Sequence, residues 1–457
     1  MTQGAGPHTL EKASVIAVPV LNTLVFLVVA SHLGAAPLGE MALLLSLAAI
    51  LTLSFDISLA WGGSGGKEAR FVLHAISAVT GVTVAGAGYL VGLDARVLPL
   101  GLFMAYHGAS SMVLAAVGEG TLYATAALVD AGARLALIFS MLYAGVDSDV
   151  QTAIAAIYLA GSLLALAWVS GRIGGLRLSG WTKQVRGASG TTLAFAFVGS
   201  LLMWIDKPLL YLMSGHAALG YYFAVQRTVI FIASASVVIT GMVSNAFSSL
   251  PREKGLRLVT LMERYSLLCV LPITTYYAVF AYPLVKVFFN ADFASHYELI
   301  YPMAAGGFFI AMSAPALAWL VSGKRFGLLL SASLASLALA IVASIALTKI
   351  AADWLANPDM AVSIGFMLGA VVNFAIVRGA AYRDGAGFHR RDVNHIACSG
   401  SMAVFLYWLS GFFTRIGFSE LVLLALVGIL LYGILLYLFA EFHKGDYEEF
   451  KELRGVS

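Results

Sequence analysis

Charged side chains are scarce in this sequence. Asp, Glu, Lys and Arg make up 11% of 457 residues, where a soluble globular chain carries about 25%. A soluble chain of this length would form about two or three domains, each with a polar surface, and too few polar side chains are present to cover them. A compact water-soluble protein is excluded. Disorder is excluded as well, because it requires low hydrophobicity, and 60% of these residues are hydrophobic.

Cysteine is nearly absent. Cys269 and Cys398 lie far apart in apolar stretches, which excludes a disulfide framework and a zinc site of the CxxC kind. No phosphate-binding loop is present: GGSGG at 62–66 lacks the following Lys-Ser/Thr, so ATP hydrolysis is not expected. There is no HExxH, no GxSxG and no connection long enough for a catalytic domain. Basic residues form no patch of the kind that binds nucleic acid, and no cofactor is implied.

What the sequence does contain is apolar runs long enough to cross a bilayer, which takes about 20 residues. Fourteen are expected, at 13–33, 38–61, 71–93, 97–118, 122–144, 152–171, 191–213, 218–247, 260–289, 299–321, 327–348, 359–379, 395–413 and 418–440. Lipid cannot satisfy backbone polar groups, so runs of this length are helices. The fold class is therefore all-α, a polytopic membrane protein with about fourteen transmembrane helices. The first run is longer than a signal-peptide core and is read as a retained helix.

Lys and Arg orient the chain. With the N-terminus in the cytoplasm, the inner connections and termini hold nineteen of the 27 basic residues and the outer connections hold three, Arg96, Lys349 and Arg415. Both termini are thus expected on the cytoplasmic face of the cell membrane. The two longest inner connections, 172–190 and 380–394, divide the chain. Residues 1–171 form a first six-helix bundle and 191–379 a second. Two additional helices occupy 395–440, and 441–457 is a cytoplasmic tail.

The two bundles carry an internal repeat. Gly34-x-x-x-Leu38-Gly39 follows run 1 and Gly215-x-x-x-Leu219-Gly220 follows run 7, at an offset of 181 residues. Six helices per block is an even number, so the repeats are parallel, an arrangement on which alternating-access transporters are built.

Charges inside the runs are costly, at about 2.5–3.5 kcal/mol each on insertion scales. Asp206 and Lys207 lie in run 7, Arg227 in run 8, Asp130 and Arg134 in run 5, and Asp56 near the inner end of run 2. Asp206 and Arg227 fall at similar depths on adjacent runs and are placed to pair; such a pair either pins the hairpin or faces a polar cavity, and the two roles are compatible. Asp130 and Arg134 stand at i and i+4, able to neutralise each other. Glu263 and Arg264 open run 9 and are expected at the interface. Pro19, Pro208, Pro272 and Pro315 each remove a backbone hydrogen bond and can bend a helix.

The stretch WIDKPLLY at 204–211, then Gly215, then LGYYFAVQR at 219–227, resembles the Wzx-type polysaccharide/oligosaccharide flippases. So do Leu38-Gly39 followed by Phe55-Asp56-Ile57, and Phe288-Phe289-Asn290 with Tyr297. That family belongs to the multidrug/oligosaccharidyl-lipid/polysaccharide (MOP) exporter superfamily, with the MATE extruders and MurJ-type flippases. The resemblance implies a transporter, not an enzyme, that moves a lipid-linked oligosaccharide on a polyprenyl-phosphate carrier from the cytoplasmic to the outer face. It further implies coupling to a proton or sodium gradient and a place beside glycan-assembly proteins. On that reading Arg227, Lys207 and Arg134 meet the phosphate charge, and Asp206, Asp130 or Asp56 binds the coupling ion or forms an ion pair. The rivals are a MATE-like multidrug/cation antiporter and a membrane-embedded glycan polymerase or glycosyltransferase. The latter needs a large catalytic outer loop, and the longest expected here has only about ten residues.

Overall fold

The computed structural model describes residues 34–62, 120–143, 190–241, 250–289, 291–350, 357–387, 392–413 and 415–439, with single positions or short pieces at 21, 25–28, 30, 157, 160–161, 164 and 247. Runs 3 and 4 lie outside the described residues, as do most of runs 1 and 6, residues 172–189 of the linker and the tail. Among the described residues every regular element is helical. The elements are α1 (Ala35–Gly62), α2 (Gly120–Tyr143), α3 (Gly190–Trp204), α4 (Asp206–Gly241), α5 (Arg252–Val279), α6 (Ala281–Phe288), α7 (Ala291–Ala294), a 3₁₀ turn (Tyr297–Leu299), α8 (Ile300–Ser322), α9 (Phe326–Ile350), α10 (Pro358–Asp384), α11 (Asp392–Ser410) and α12 (Phe418–Leu438). The chain divides into two compact units, Met1–Ala224 and Val225–Ser457.

The continuous helical stretch Gly190–Ala233 has 44 residues. Straight, it would measure about 66 Å, twice the hydrocarbon core of about 30 Å. It is not straight: Gly215, at φ 76° and ψ −168°, breaks it in two. Glycine alone adopts that backbone without strain, and the break falls at the turn the sequence expects between runs 7 and 8. Five helical stretches among the described residues are long and apolar enough to cross a membrane, six if the bent pair α5–α6 counts as one span. The protein is a multi-pass membrane protein.

In the first unit α1 packs along α3. In the second, α10 packs on both α8 and α9, and α5 packs on α8 and α11. The α9–α10 seam follows a small-residue rule for helices in lipid. A Cβ on Gly369 would come within 2.9 Å of the Ser336 carbonyl oxygen, and one on Gly365 would overlap the Ser344 side chain. The hydroxyls of Ser336 and Ser344 donate to the carbonyls of Ala332 and Ala340, each at 2.7 Å, so neither is left idle in the seam. Along α12, Leu423, Leu426, Ile429, Leu430 and Ile434 are exposed, as expected of side chains facing lipid.

The prolines behave differently from one another. Pro272 sits inside a continuous α5, whereas α5 and α6 meet at 81° around Phe280. Pro283 is the third residue of α6, where its missing N–H belongs to a helix start that has no intrahelical partner anyway.

One expectation is corrected here. Run 9 is placed at 260 by hydropathy, with Glu263 and Arg264 opening its helix, but α5 begins at Arg252, eleven residues before Glu263, and both side chains are buried within it, each at 8% exposure. Its first turns carry Arg252, Glu253, Lys254 and Arg257, which depress the hydropathy of a segment that is nonetheless helical. Arg378 lies within α10.

Candidate functional site

The charge cluster of the first unit is built on an irregular helix joint. Pro208 cannot donate to the Trp204 carbonyl and its ring crowds that position; the helix steps between α3 and α4 at Ile205. Ile205 N still donates to the Leu201 carbonyl at 2.8 Å and Leu209 N to the Ile205 carbonyl at 3.0 Å, so the joint stays compact. Adjacent residues on a regular helix point apart, but here Asp206 and Lys207 converge. Lys207 Nζ lies 2.8 and 3.0 Å from the two carboxylate oxygens of Asp206. Tyr222 donates its hydroxyl to Asp206 Oδ2 at 2.7 Å. Lys207 Nζ also stands 4.7 Å from the centre of the Trp204 ring, a cation–π distance. Asp206 is 4% exposed, Lys207 2% and Tyr222 fully buried. The sequence singles out the two charges; Tyr222 as the carboxylate's donor is an addition, signalled only by the GYY that follows Gly220.

A second buried pair lies on α2. Arg134 donates Nε to Asp130 Oδ1 at 3.0 Å and Nη2 to the other carboxylate oxygen. The fork-to-fork geometry is the strong form of the pair. Gly161 makes room for it, since a Cβ there would sit 2.7 Å from Arg134 Cγ and 2.9 Å from Asp130 Oδ1. Asp56 lies on α1, but its side chain is outside the described residues. Arg227 lies half-buried on α4, twelve residues beyond the break at Gly215.

The repeat found in the sequence forms a crossing. A Cβ on Gly39 would overlap the His216 carbonyl, and a Cβ on Gly220 would overlap the Ala35 carbonyl. Adding 181 to 35 and 39 gives 216 and 220, so the two contacts are one contact seen from either repeat. Leu38 and Leu219, at equivalent places, are both fully buried. The start of α1 and the post-Gly215 part of α4 meet backbone to backbone about a local two-fold relation. Only glycine permits so close an approach.

Charge clusters that the sequence does not anticipate occur in the second unit. Arg378 Nε on α10 lies 2.9 Å from Glu263 Oε1 on α5, and Arg378 Nη2 donates to the Gly387 carbonyl at 2.7 Å. At the opposite end, His296 Nδ1 is 2.8 Å from Asp359 Oδ2, while Asp359 Oδ1 accepts from the Met360 N–H at 2.9 Å. Asp359, at the N-terminal turn of α10 and 2% exposed, is well placed for the helix dipole. No group of three or more metal-ligating side chains is found among the described residues.

No sequence-family model and no curated protein matches this chain. Solved structures do. The fold is similar to that of a lipid II flippase, MurJ, in an inward closed conformation, with a TM-score of 0.70 at 13% identity over 95% of this chain and 99% of that one. It is also similar to a multidrug resistance MATE family transporter of the MOP superfamily. For the inward-facing conformation the TM-score is 0.58 at 11% identity, covering 82% of this chain and 98% of that one. For the outward-facing conformation it is 0.55 at 13% identity, covering 84% and 99%. The chain has a MurJ/MATE-like polytopic helical fold.

Proposed function

We propose that the protein is a flippase that carries a lipid-linked oligosaccharide, on a polyprenyl-phosphate type carrier, from the cytoplasmic to the outer face by alternating access. The observation that carries this reading is the extent of the MurJ likeness. It takes in 95% of the chain, whereas the MATE likeness leaves part of it without a counterpart. Alternating access is supported by the similarity of one fold to both an inward-facing and an outward-facing transporter.

The chemistry follows from the buried charges. A diphosphate-linked headgroup is large, anionic and polar, so it needs a hydrated and partly basic path while its lipid tail stays in the bilayer. Arg227, Lys207 and Arg134 are the residues proposed to meet that charge. Lys207 and Arg134 are held by Asp206 and Asp130, which links cargo to a coupling ion. A proton or sodium ion taken up by the carboxylate releases its cationic partner to the phosphate, and departure of the ion restores the pair. Asp56 is a further proposed ion site. Membrane lipids and glycan-assembly proteins are the proposed surroundings, in the cell membrane with both termini cytoplasmic. The second reading, a MATE-like multidrug/cation antiporter, draws on the fold likeness and on Asp206 as an acidic site for an amphipathic cation.

The test is a strain lacking the protein. Lipid-linked glycans are extracted and their sidedness determined. Accumulation of a finished intermediate on the cytoplasmic face is expected and identifies the cargo; an unchanged pool, with no second flippase present, contradicts the reading and favours the antiporter.

A further inference from the structure

Four connected helix ends of the second unit form a pocket of about 320 Å³, separate from the charge clusters described above. It is lined by Arg252 at the start of α5, Trp319 and Gly323 at the end of α8, Arg325 just before α9, and Asp384 at the end of α10. Strict up-and-down connectivity puts these ends on one side of the membrane, the side that the Lys and Arg bias assigns to the cytoplasm.

The pocket is organised around one carboxylate. Arg325 Nη1 donates to Asp384 Oδ2 at 2.6 Å, Arg252 Nη2 donates to Oδ1 at 3.4 Å, and the Trp319 indole N–H reaches Oδ2 at 3.4 Å. Each guanidinium has five N–H donors, and Asp384 engages one of each. Two cations face one anion, which leaves a net positive pocket with donors to spare. The backbone that carries Arg325 is also fixed. The α8 terminus closes with Lys324 N–H on the Val321 carbonyl at 2.9 Å and Arg325 N–H on the Leu320 carbonyl at 3.0 Å. Lys324 takes the left-handed conformation at φ 54°, strained for a residue with a Cβ, and the turn folds Arg325 back over the helix end. The Trp319 ring is seated where Gly255 has no side chain, since a Cβ there would overlap it, and Phe247 packs edge-on at 6.2 Å. The floor is thus a fixed indole of the kind favoured at the membrane–water boundary.

We infer that this pocket binds a phosphate group at the cytoplasmic boundary, between the Arg252 and Arg325 guanidiniums. Two forked donors converging from the start of α5 and from the turn before α9 suit the oxygens of a phosphate, and the pocket volume leaves room for the ester substituents around it. The same chemistry is offered by an anionic phospholipid headgroup, by the phosphate of a lipid-linked cargo and by free phosphate. Asp384 orients the two cations and competes with the phosphate for them.

The experiment uses the full chain purified in detergent and incubated with phosphatidylglycerol or phosphatidylcholine vesicles, with phospholipid retained per protein as the readout. The wild type is expected to retain phosphatidylglycerol about fivefold over phosphatidylcholine, the factor that about 1 kcal/mol for a basic side chain at an anionic lipid surface gives. Arg252→Gln with Arg325→Gln should lower retention to the phosphatidylcholine level, whereas Arg383→Gln, an equal loss of charge on an exposed neighbour outside the pocket, should leave it unchanged. Asp384→Asn should raise retention, because it removes the competing anion; an ion-pair node with only a structural role predicts the reverse. Excess inorganic phosphate that displaces the lipid identifies phosphate itself as sufficient, and failure to displace identifies the lipid ester as the ligand; both support the site. Wild-type retention in the double variant, equal loss in Arg383→Gln, or loss in Asp384→Asn overturns it.

Discussion

Lys207 is a buried cation in the first unit. It is 2% exposed, and its charge is balanced by the Asp206 carboxylate on the neighbouring position. Removing one partner of a buried pair leaves an uncompensated charge and costs about 3–5 kcal/mol, whereas replacing both by apolar groups is often close to neutral. Asp206→Asn is therefore expected to lower the thermal unfolding temperature of the purified protein markedly. Asp206→Asn combined with Lys207→Met should recover most of the loss while still failing to translocate. A double variant no more stable than the single one contradicts the pairing. Asp206, Lys207, Asp130 and Arg134 are legible in the sequence because charge in an apolar run stands out. The Glu263–Arg378 pair is not, because a helix whose first turns are charged conceals its own start. Tyr222 is hidden for another reason: a tyrosine hydroxyl has no charge to attract notice, and sixteen residues separate it from the carboxylate it serves.

At the scale of elements, the Gly39–Gly220 crossing is the feature most open to attack. On the charge-derived topology it would lie at the outer ends of its helices, and under the proposed alternating access it would have to part there. Gly39→Val and Gly220→Val, which drive a side chain into the opposing backbone, should act alike because the contacts are equivalent. Each is expected to raise the rate at which a cysteine introduced by Ala35→Cys reacts with a membrane-impermeant maleimide added outside. Gly132→Ala, at a glycine with nothing within 4 Å, should leave that rate unchanged. Equal labelling in all three contradicts the gate. The crossing was half legible. The hexapeptide repeat and its offset are visible in the sequence, but that the two copies touch each other is a matter of tertiary packing. The same holds for the prolines. Composition marks Pro272 and Pro283 alike, and only their places relative to helix ends decide that the second accompanies an 81° bend and the first lies within an unbroken helix.

At the scale of the whole molecule, an all-helical membrane fold follows from hydrophobicity and run length alone, since neither depends on which helix packs on which. Helix boundaries follow to within a few residues where the flanks are polar and the run is uniform, as for α8, α9 and α12. The same fold accommodates a lipid flippase and a multidrug transporter, so the proposed cargo is read from the buried charges instead. The buried pairs lean toward an anionic headgroup, since each acidic side chain at Asp206 and Asp130 is matched by a cation that a phosphate can claim. The deciding measurement is reconstitution of the full chain in liposomes with a fluorescent lipid-linked oligosaccharide on one side and, in a parallel preparation, a fluorescent amphipathic cation. Under a proton or sodium gradient the account predicts that the oligosaccharide becomes accessible to an external quencher faster than in protein-free liposomes, while the cation does not accumulate. Cation movement with a stationary oligosaccharide would contradict it.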